Sequence, residues 1–495
     1  MAMSVDAEPP PLGGATKVNY GLGAFAAGVA YVGLAPTLLP FFLNQVVGIP
    51  AIRVGSAILA SLVIDVILDP LIGQWSDNLR TPWGRRHPFL YIAGLLWAVS
   101  FYFFWNTPRD VSGLSLMGFM FTALVAIRVS GSLYEIPSNA LVPELAPDFD
   151  LRTGLIAYRW FFLVLAIAVF QIWLSIVLLR KDATHPLGML NASGYATFGA
   201  VGAVVIFIST LGSALGTQSR IPYLHAPPIR RVTLAMTLRE MVSALTNPAL
   251  VVIIIASILG GAAAGFRGNL DPYFYLHFWG LLPQQIGLLS IAGILGTVLA
   301  VITAPVVSRL MGKKATMISF FLVSMIVGLT PLCLKLVGLM PPNGSPLVLP
   351  ILAADAFVTV GLGVAGLIII SSMVADVAED QAAKTGLRSE GLLFATNGLV
   401  PKLTAGVGAF IAGVLISVSH FPAHAAPGTV PMGQMRDMVL MFLPGYVVMV
   451  SASIGVLAFY RLDRAAHQRN LETIRQAAAA AASGHAIDIE QGTAP

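Results

Sequence analysis

Residues Ser61–Pro88 read SLVIDVILDPLIGQWSDNLRTPWGRRHP. The first half is apolar enough to sit in lipid, yet it carries Asp65 and Asp69. A carboxylate at the bilayer centre costs about 2.5 kcal/mol or more, so such acids face a cavity or a partner. Their spacing of four puts both on one face of a helix, about one turn apart. Two acids on one face inside a membrane form an oxygen-rich candidate site for a cation or a proton. The second half is a short polar turn with Arg80, Arg85 and Arg86. By the positive-inside rule that turn lies in the cytoplasm.

The rest of the chain agrees with a membrane reading. Of 495 residues, 57% are hydrophobic and 10% charged, against about 25% charged in a soluble domain. Mean hydropathy is +0.83. A span of ~30 Å of hydrocarbon takes ~20 apolar residues. Such stretches fall at 18–46, 51–75, 88–106, 114–145, 155–180, 193–216, 248–279, 286–308, 315–340, 347–376, 391–419 and 438–460. The net charge of +5 reflects this topology and gives no reason to expect a nucleic-acid partner. The lone Cys333 rules out an intramolecular disulfide and reads as a packing residue.

With these boundaries, 18 of the 28 Lys and Arg residues lie on the side that holds both termini. Only Arg53, Arg109, Arg180, Lys181 and Arg436 lie on the other side, so both termini are expected in the cytoplasm. The expected organisation is a disordered cytoplasmic tail (1–17), a six-helix bundle (18–216), a cytoplasmic linker (217–247), a second bundle (248–460) and a cytoplasmic tail (461–495). The linker stretch RRVTLAMTLREMVSAL has Leu234, Leu238, Met241 and Leu245 at helical spacing, as in an amphipathic helix on the inner leaflet. The halves also echo each other. WGRRH (Trp83–His87) pairs with MGKKA (Met311–Ala315), and RTGL (Arg152–Leu155) with KTGL (Lys384–Leu387). Matching places in a 6 + 6 arrangement point to parallel repeats around a central cavity.

Counting ~1.5 Å per residue from the cytoplasmic ends, Asp65, Glu135 and Lys402 share a depth of ~15–17 Å, near the midplane. Transporters tend to hold substrate and coupling ion at that depth. In the fourth span, 114–145, Arg128, Ser132 and Glu135 follow one helical stripe, which allows an internal Arg128–Glu135 pair. Pro137 and Pro143 are expected to bend this helix and free backbone carbonyls. Arg267 and Asp271, four apart, are placed to neutralise each other, and His277 reads as an interfacial belt residue. Arg159 is placed to close a cytoplasmic gate or to snorkel to the interface. Asp77, Arg85 and Arg86 are expected to position the helix 2–3 turn as a gating element. No Walker motif, paired cysteines or HExxH occurs, so nothing points to an enzyme or a cofactor.

DxxxDPxxGxxSDxxRTxWGRRxP, EIPxxALVPELAPDxxxRTGLxxxRxFF and ADVAEDQAAKTGLRSEGLLFATNGLVPK together resemble the glycoside–pentoside–hexuronide:cation symporters of the major facilitator superfamily. The resemblance implies an all-α membrane protein of twelve transmembrane helices in two six-helix bundles. It further implies alternating access and uptake of a sugar or glycoside coupled to Na⁺, Li⁺ or H⁺. It carries the cation site to Asp65, Asp69 and Ser132, with Asp65 and Asp69 as metal ligands if the ion is Na⁺. It carries a sugar-site acid to Glu135, a helix-11 lysine close to the acids to Lys402 and a helix-5 arginine to Arg159. The candidate substrate-binding positions are Glu135, Lys402, Arg128, Asn139 and Gly28. Melibiose-type members have an acid where this chain has Gly28 and a Trp where it has Asn139, so galactoside specificity does not transfer. Related lysophospholipid transporters keep a similar cation site, which makes an amphipathic solute the alternative. A transport-dead sensor is the other, although the short cytoplasmic pieces leave no room for a signalling domain.

The remaining expectations are a small-molecule substrate, a surrounding lipid bilayer, a functional monomer and a multi-pass location in the inner membrane. Counting Asp65, Asp69 and Glu135 against Lys402 and Arg128 leaves one negative charge. One coupling cation would balance it, which favours a neutral substrate. An unpaired Arg128 or an inward-reaching Arg159 would instead admit a carboxylate.

Overall fold

The computed structural model describes residues 12–107, 112–146, 149–180, 188–224, 247–385, 400–423, 425 and 429–460. The expected amphipathic helix in the linker, residues 1–11, the C-terminal tail and most of GLLFATNGLV lie outside these residues. Residues 14–17, expected in the disordered N-terminal tail, instead form the first turn of the first helix. The long helices are α1 (Gly14–Leu34), α2 (Ala51–Asn78), α3 (His87–Trp105), α4 (Gly113–Leu145), α5 (Phe149–Ile172) and α6 (Ala192–Gln218). They continue as α7 (Pro248–Tyr273), α8 (Pro283–Met311), α9 (Lys313–Leu336), α10 (Val348–Thr385), α11 (Val400–Val418) and α12 (Met432–Leu457). Among the described residues no strand occurs. Eleven helices among the described residues are long and apolar enough to cross a membrane, or twelve if the bent first pair is one span.

That first span departs from the expected single helix over 18–46. It breaks after Leu34 and resumes at Leu39–Val46 with a 49° bend. Pro36 is the physical cause, since the residue before a proline is pushed out of the helical region. Pro137 and Pro143, by contrast, are accommodated inside one continuous α4. The outward faces are apolar, as lipid requires: Trp160, Phe161, Val164 and Leu165 of α5 are all exposed. Cys333 is exposed too, which corrects its expected packing role.

The chain divides into two compact units, Met1–Leu234 with Gly265–Ser290 and Ala405–Leu440, and Ala235–Ala264 with Ile291–Thr404 and Met441–Pro495. In the first unit α1 packs on α5 and α6, α3 on α4 and α6, and α2 on α4. Segments of α7 and α11 join it through small residues and a buried polar network. A Cβ on Gly55 would lie 2.7 Å from the Ala409 carbonyl, so glycine allows that backbone approach. Tyr273 Oη donates to Asn44 Oδ1 (2.9 Å), and the Ala425 amide donates to Gln45 Oε1 (2.9 Å). His277 packs edge-on to Phe421 with ring centroids 5.1 Å apart, inside this network, and is not a belt residue facing lipid. In the second unit α9 packs on α10 around a core that includes Met317, Phe320, Ile369 and Met373.

The repeat seen in the sequence has a structural counterpart. Gly84 and Gly312 hold the same place in WGRRH and MGKKA, and both have positive φ (75° and 81°), a conformation glycine adopts without strain. The next residue in each motif is a cation. Arg85 Nη2 pairs with Glu144 at 2.6 Å, and Lys313 Nζ pairs with Asp376 at 2.6 Å. Glu144 stands eight residues before Arg152, as Asp376 stands eight before Lys384. The same ion pair is thus built twice, once in each unit.

Candidate functional site

Helices α2 and α4 run side by side and are joined by two polar rungs one helical turn apart. Ser132 Oγ of α4 donates to Asp65 Oδ1 of α2 at 2.9 Å, with both residues buried. One turn earlier on each helix, Arg128 Nε donates to Ser61 Oγ at 3.0 Å. The spacing of four that links Ser61 to Asp65 also links Arg128 to Ser132, so the two helices share a register. Asp69, one further turn along α2, is half-buried. Ser132 and Asp65 thus meet across one helix pair, the pairing the family resemblance implies, and Asp69 follows on the same helix as Asp65.

Below the Asp65–Ser132 rung stands a second cluster. Arg159 Nη2 of α5 donates to Glu135 Oε2 at 2.5 Å, and its Nη1 donates to Ser138 Oγ at 2.8 Å. Tyr20 Oη of α1 donates to the Ser138 carbonyl at 2.9 Å, and Arg159 lies over the Tyr20 ring. Glu135 Oε1 is buried and has no hydrogen-bond partner among the described residues. Its sister oxygen is held by a cation, so the carboxylate is oriented while keeping one acceptor in reserve.

This geometry corrects several expectations. The Arg128–Glu135 pair does not form, because α5 delivers Arg159 to Glu135 and Arg128 turns to Ser61. Arg159 therefore does not extend outward to the interface; its guanidinium turns inward and pairs with Glu135. The tally of charges that favoured a neutral solute omitted Arg159 and loses its basis. Gly28 does not line a site: a Cβ there would lie 2.6 Å from both Ala166 Cβ and the Leu163 carbonyl of α5. It is a helix-packing glycine. Gly28→Ala is expected to cost about 1–3 kcal/mol of stability through overpacking while leaving solute affinity unchanged. Thermal unfolding together with a binding isotherm checks this.

Asn139, one turn beyond Glu135, is exposed. Lys402 belongs to the other unit, in the first turn of α11, where it is half-buried. Arg267 and Asp271 approach to 3.6 Å, the neutralising pair their spacing suggests. Among the described residues no group of three or more His, Cys, Asp or Glu could hold a metal ion.

The polar turn after α2 is tied down by a residue the sequence reading passed over. Glu144 Oε1 accepts from Arg85 Nη2 (2.6 Å) and Arg86 Nε (2.5 Å). Arg86 also donates to Ser76 Oγ (3.0 Å) and Asp77 Oδ1 (2.8 Å). Asp77, Arg85 and Arg86 thus form one network with the end of α4. Glu144 was discoverable from its matched place before RTGL. Ser61 was discoverable from its position four residues before Asp65. Tyr20 and Ser138 carried no such signal.

The fold and these clusters define a polytopic membrane transporter. The chain belongs to the MFS/sugar transport protein family, whose pattern it matches over residues 19–464. It is similar to the isoprimeverose transporter of Lactiplantibacillus pentosus, 23% identical over 90% of this chain and 88% of that protein. It is also similar to a protein described as the putative glycoside/cation symporter YagG of Escherichia coli K12, 21% identical over 91% of this chain and 92% of the other. Among solved structures, the nucleoside transporter NupG superposes with a TM-score of 0.61 at 14% identity, over 90% of this chain and all of that one. The fold is thereby shared with major facilitator transporters.

Proposed function

We propose that the protein is a cation-coupled secondary symporter for a sugar, glycoside or related hydroxyl-rich solute, working by alternating access. It resides in the cell membrane with both termini in the cytoplasm. The observation that carries this reading is the placement of two differently built clusters on one stretch of α4. Ser132 holds Asp65, and Glu135, three residues on, is held by Arg159. The Asp65–Asp69–Ser132 group is the coupling site. The Glu135–Arg159 pair is the solute site, in which the oriented carboxylate accepts from sugar hydroxyls and the guanidinium donates to ring or hydroxyl oxygens. Lying one helical turn apart, the two can bias each other reciprocally, as coupling requires. The names of the two full-length relatives support a saccharide solute and, for one, a cation as the co-transported species.

The test is uptake by proteoliposomes of a panel of mono- and disaccharides, glycosides, uronides and lysolipids under an imposed cation gradient. Concentrative uptake of at least one saccharide-class solute is expected. Transport confined to lysolipids would replace the sugar reading with the amphipathic one. Glu135→Gln and Arg159→Lys should each raise the apparent KM roughly ten- to hundredfold, the range for losing a hydrogen bond to a charged group. A normal KM in both variants would remove this pair from the solute site.

A further inference from the structure

We propose that Arg128 is a resident positive charge that keeps sodium out of the Asp65 site, so that sodium is not this protein's coupling ion. Its bearing on transport rests on the symporter reading above; the exclusion itself is a binding property.

The position of Arg128 is determined by a hydroxyl used in both directions. Ser61 Oγ accepts from Arg128 Nε at 3.0 Å and donates to the Ile58 carbonyl at 2.7 Å. Ser61 is 1% exposed, so this anchor is fixed in the α2–α4 interface. Arg128 therefore stands one helical turn from Asp65, close enough for the two charges to interact. Glu135 does not neutralise it, being held by Arg159. A guanidinium stays protonated in proteins, so the charge is permanent.

Sodium fits the remaining donors poorly for two reasons. The gap between Asp65 Oδ1 and Ser132 Oγ is 2.9 Å, an ordinary O–H···O length. A metal ion bridging these two oxygens would have to break that hydrogen bond and turn the hydroxyl proton away. The second reason is Coulombic. A unit charge one turn away, about 5.4 Å, at an effective dielectric constant near 20 weakens cation binding on the order of a hundredfold. Arg128 thus supplies a charge that a metal ion would otherwise bring, and repels the ion that would bring it.

The experiment is equilibrium binding of ²²Na⁺ to the purified full-length protein at constant ionic strength. It compares wild type, Arg128→Gln, Arg128→Met, Arg128→Lys, Asp65→Asn and the double variant Arg128→Gln/Asp65→Asn. Wild type and Arg128→Lys should show no saturable binding at sodium concentrations that saturate Arg128→Gln. The affinity difference should be on the order of a hundredfold, and the double variant should lose the gained site. Arg128→Met serves if Arg128→Gln is not monodisperse. Saturable sodium binding by wild type that disappears in Asp65→Asn would overturn the proposal. So would well-folded Arg128→Gln and Arg128→Met proteins that bind no sodium, since Arg128 would then not be what excludes it. Solute counterflow in sodium-free medium is measured in parallel. If no solute moves at all, the symporter reading fails while the sodium result stands by itself.

Discussion

Asp65→Asn and Asp69→Asn are each expected to abolish accumulation of solute under a cation gradient while leaving solute–solute exchange. The amide at position 65 keeps an acceptor for Ser132, whose hydroxyl donates to Asp65 Oδ1 in the parent. The α2–α4 rung survives, but its charge does not. Concentrative uptake needs the occupancy of one site to favour the other, and coupling of that kind is worth roughly 5–150-fold in affinity. Removing the charge should bring the steady-state ratio of internal to external solute to about unity, whatever ratio the imposed gradient sustains in the parent. Exchange needs only the Glu135–Arg159 pair, which the substitution does not touch. Accumulation ratios and counterflow rates measured in the same vesicles separate the two. Both variants still concentrating solute would make the acids structural.

The second large effect is expected at Glu144. Its side chain is 8% exposed and faces Arg85 and Arg86, which are 11% and 6% exposed. Glu144→Ala would remove the Oε1 acceptor that both guanidiniums share, leaving Arg86 with Ser76 and the exposed Asp77. Breaking a buried pair from one side costs about 3–5 kcal/mol. The protein should therefore unfold at markedly lower temperature and turn over slowly, with solute affinity retained. Asp77 contacts the same Arg86 but is 56% exposed, so Asp77→Ala should cost only about 0–1 kcal/mol. The matched change in the second unit, Asp376→Ala, should fall between them, because its partner Lys313 is 31% exposed. Thermal unfolding of the three variants in one detergent gives the order. Equal losses at Glu144 and Asp77 would contradict the burial argument.

Much of this was legible in the chain because a membrane simplifies the rules. Apolar runs had to be helices, basic turns had to share a side, and acids within the runs had to face partners. Asp65 follows from that reasoning, and Ser132 from the family resemblance. What it missed concerns rotation about a helix axis. Arg128 and Glu135 lie on one stripe of α4, yet a stripe has width, and neighbouring α5 supplies Arg159 to Glu135 while α2 supplies Ser61 to Arg128. Sequence spacing within one helix holds no information about which foreign side chain arrives first. Gly28 failed for the same reason: alignment put it where relatives carry an acid, but a missing Cβ invites a neighbouring helix to fill the space. The repeat went the other way. Four-residue echoes were thin in the sequence, and the twice-built pair Arg85–Glu144 and Lys313–Asp376 gives them a physical basis.

The central claim, that solute and cation move together, is tested most directly by charge movement. An uncharged glycoside carries no current, so any current it evokes in reconstituted vesicles on a solid support reports the co-transported cation. The expected result is a transient of positive charge into the vesicles on adding a transported neutral glycoside, absent in Asp69→Asn. A glycoside that enters wild-type vesicles without moving charge, while the membrane potential leaves its uptake unchanged, would contradict it.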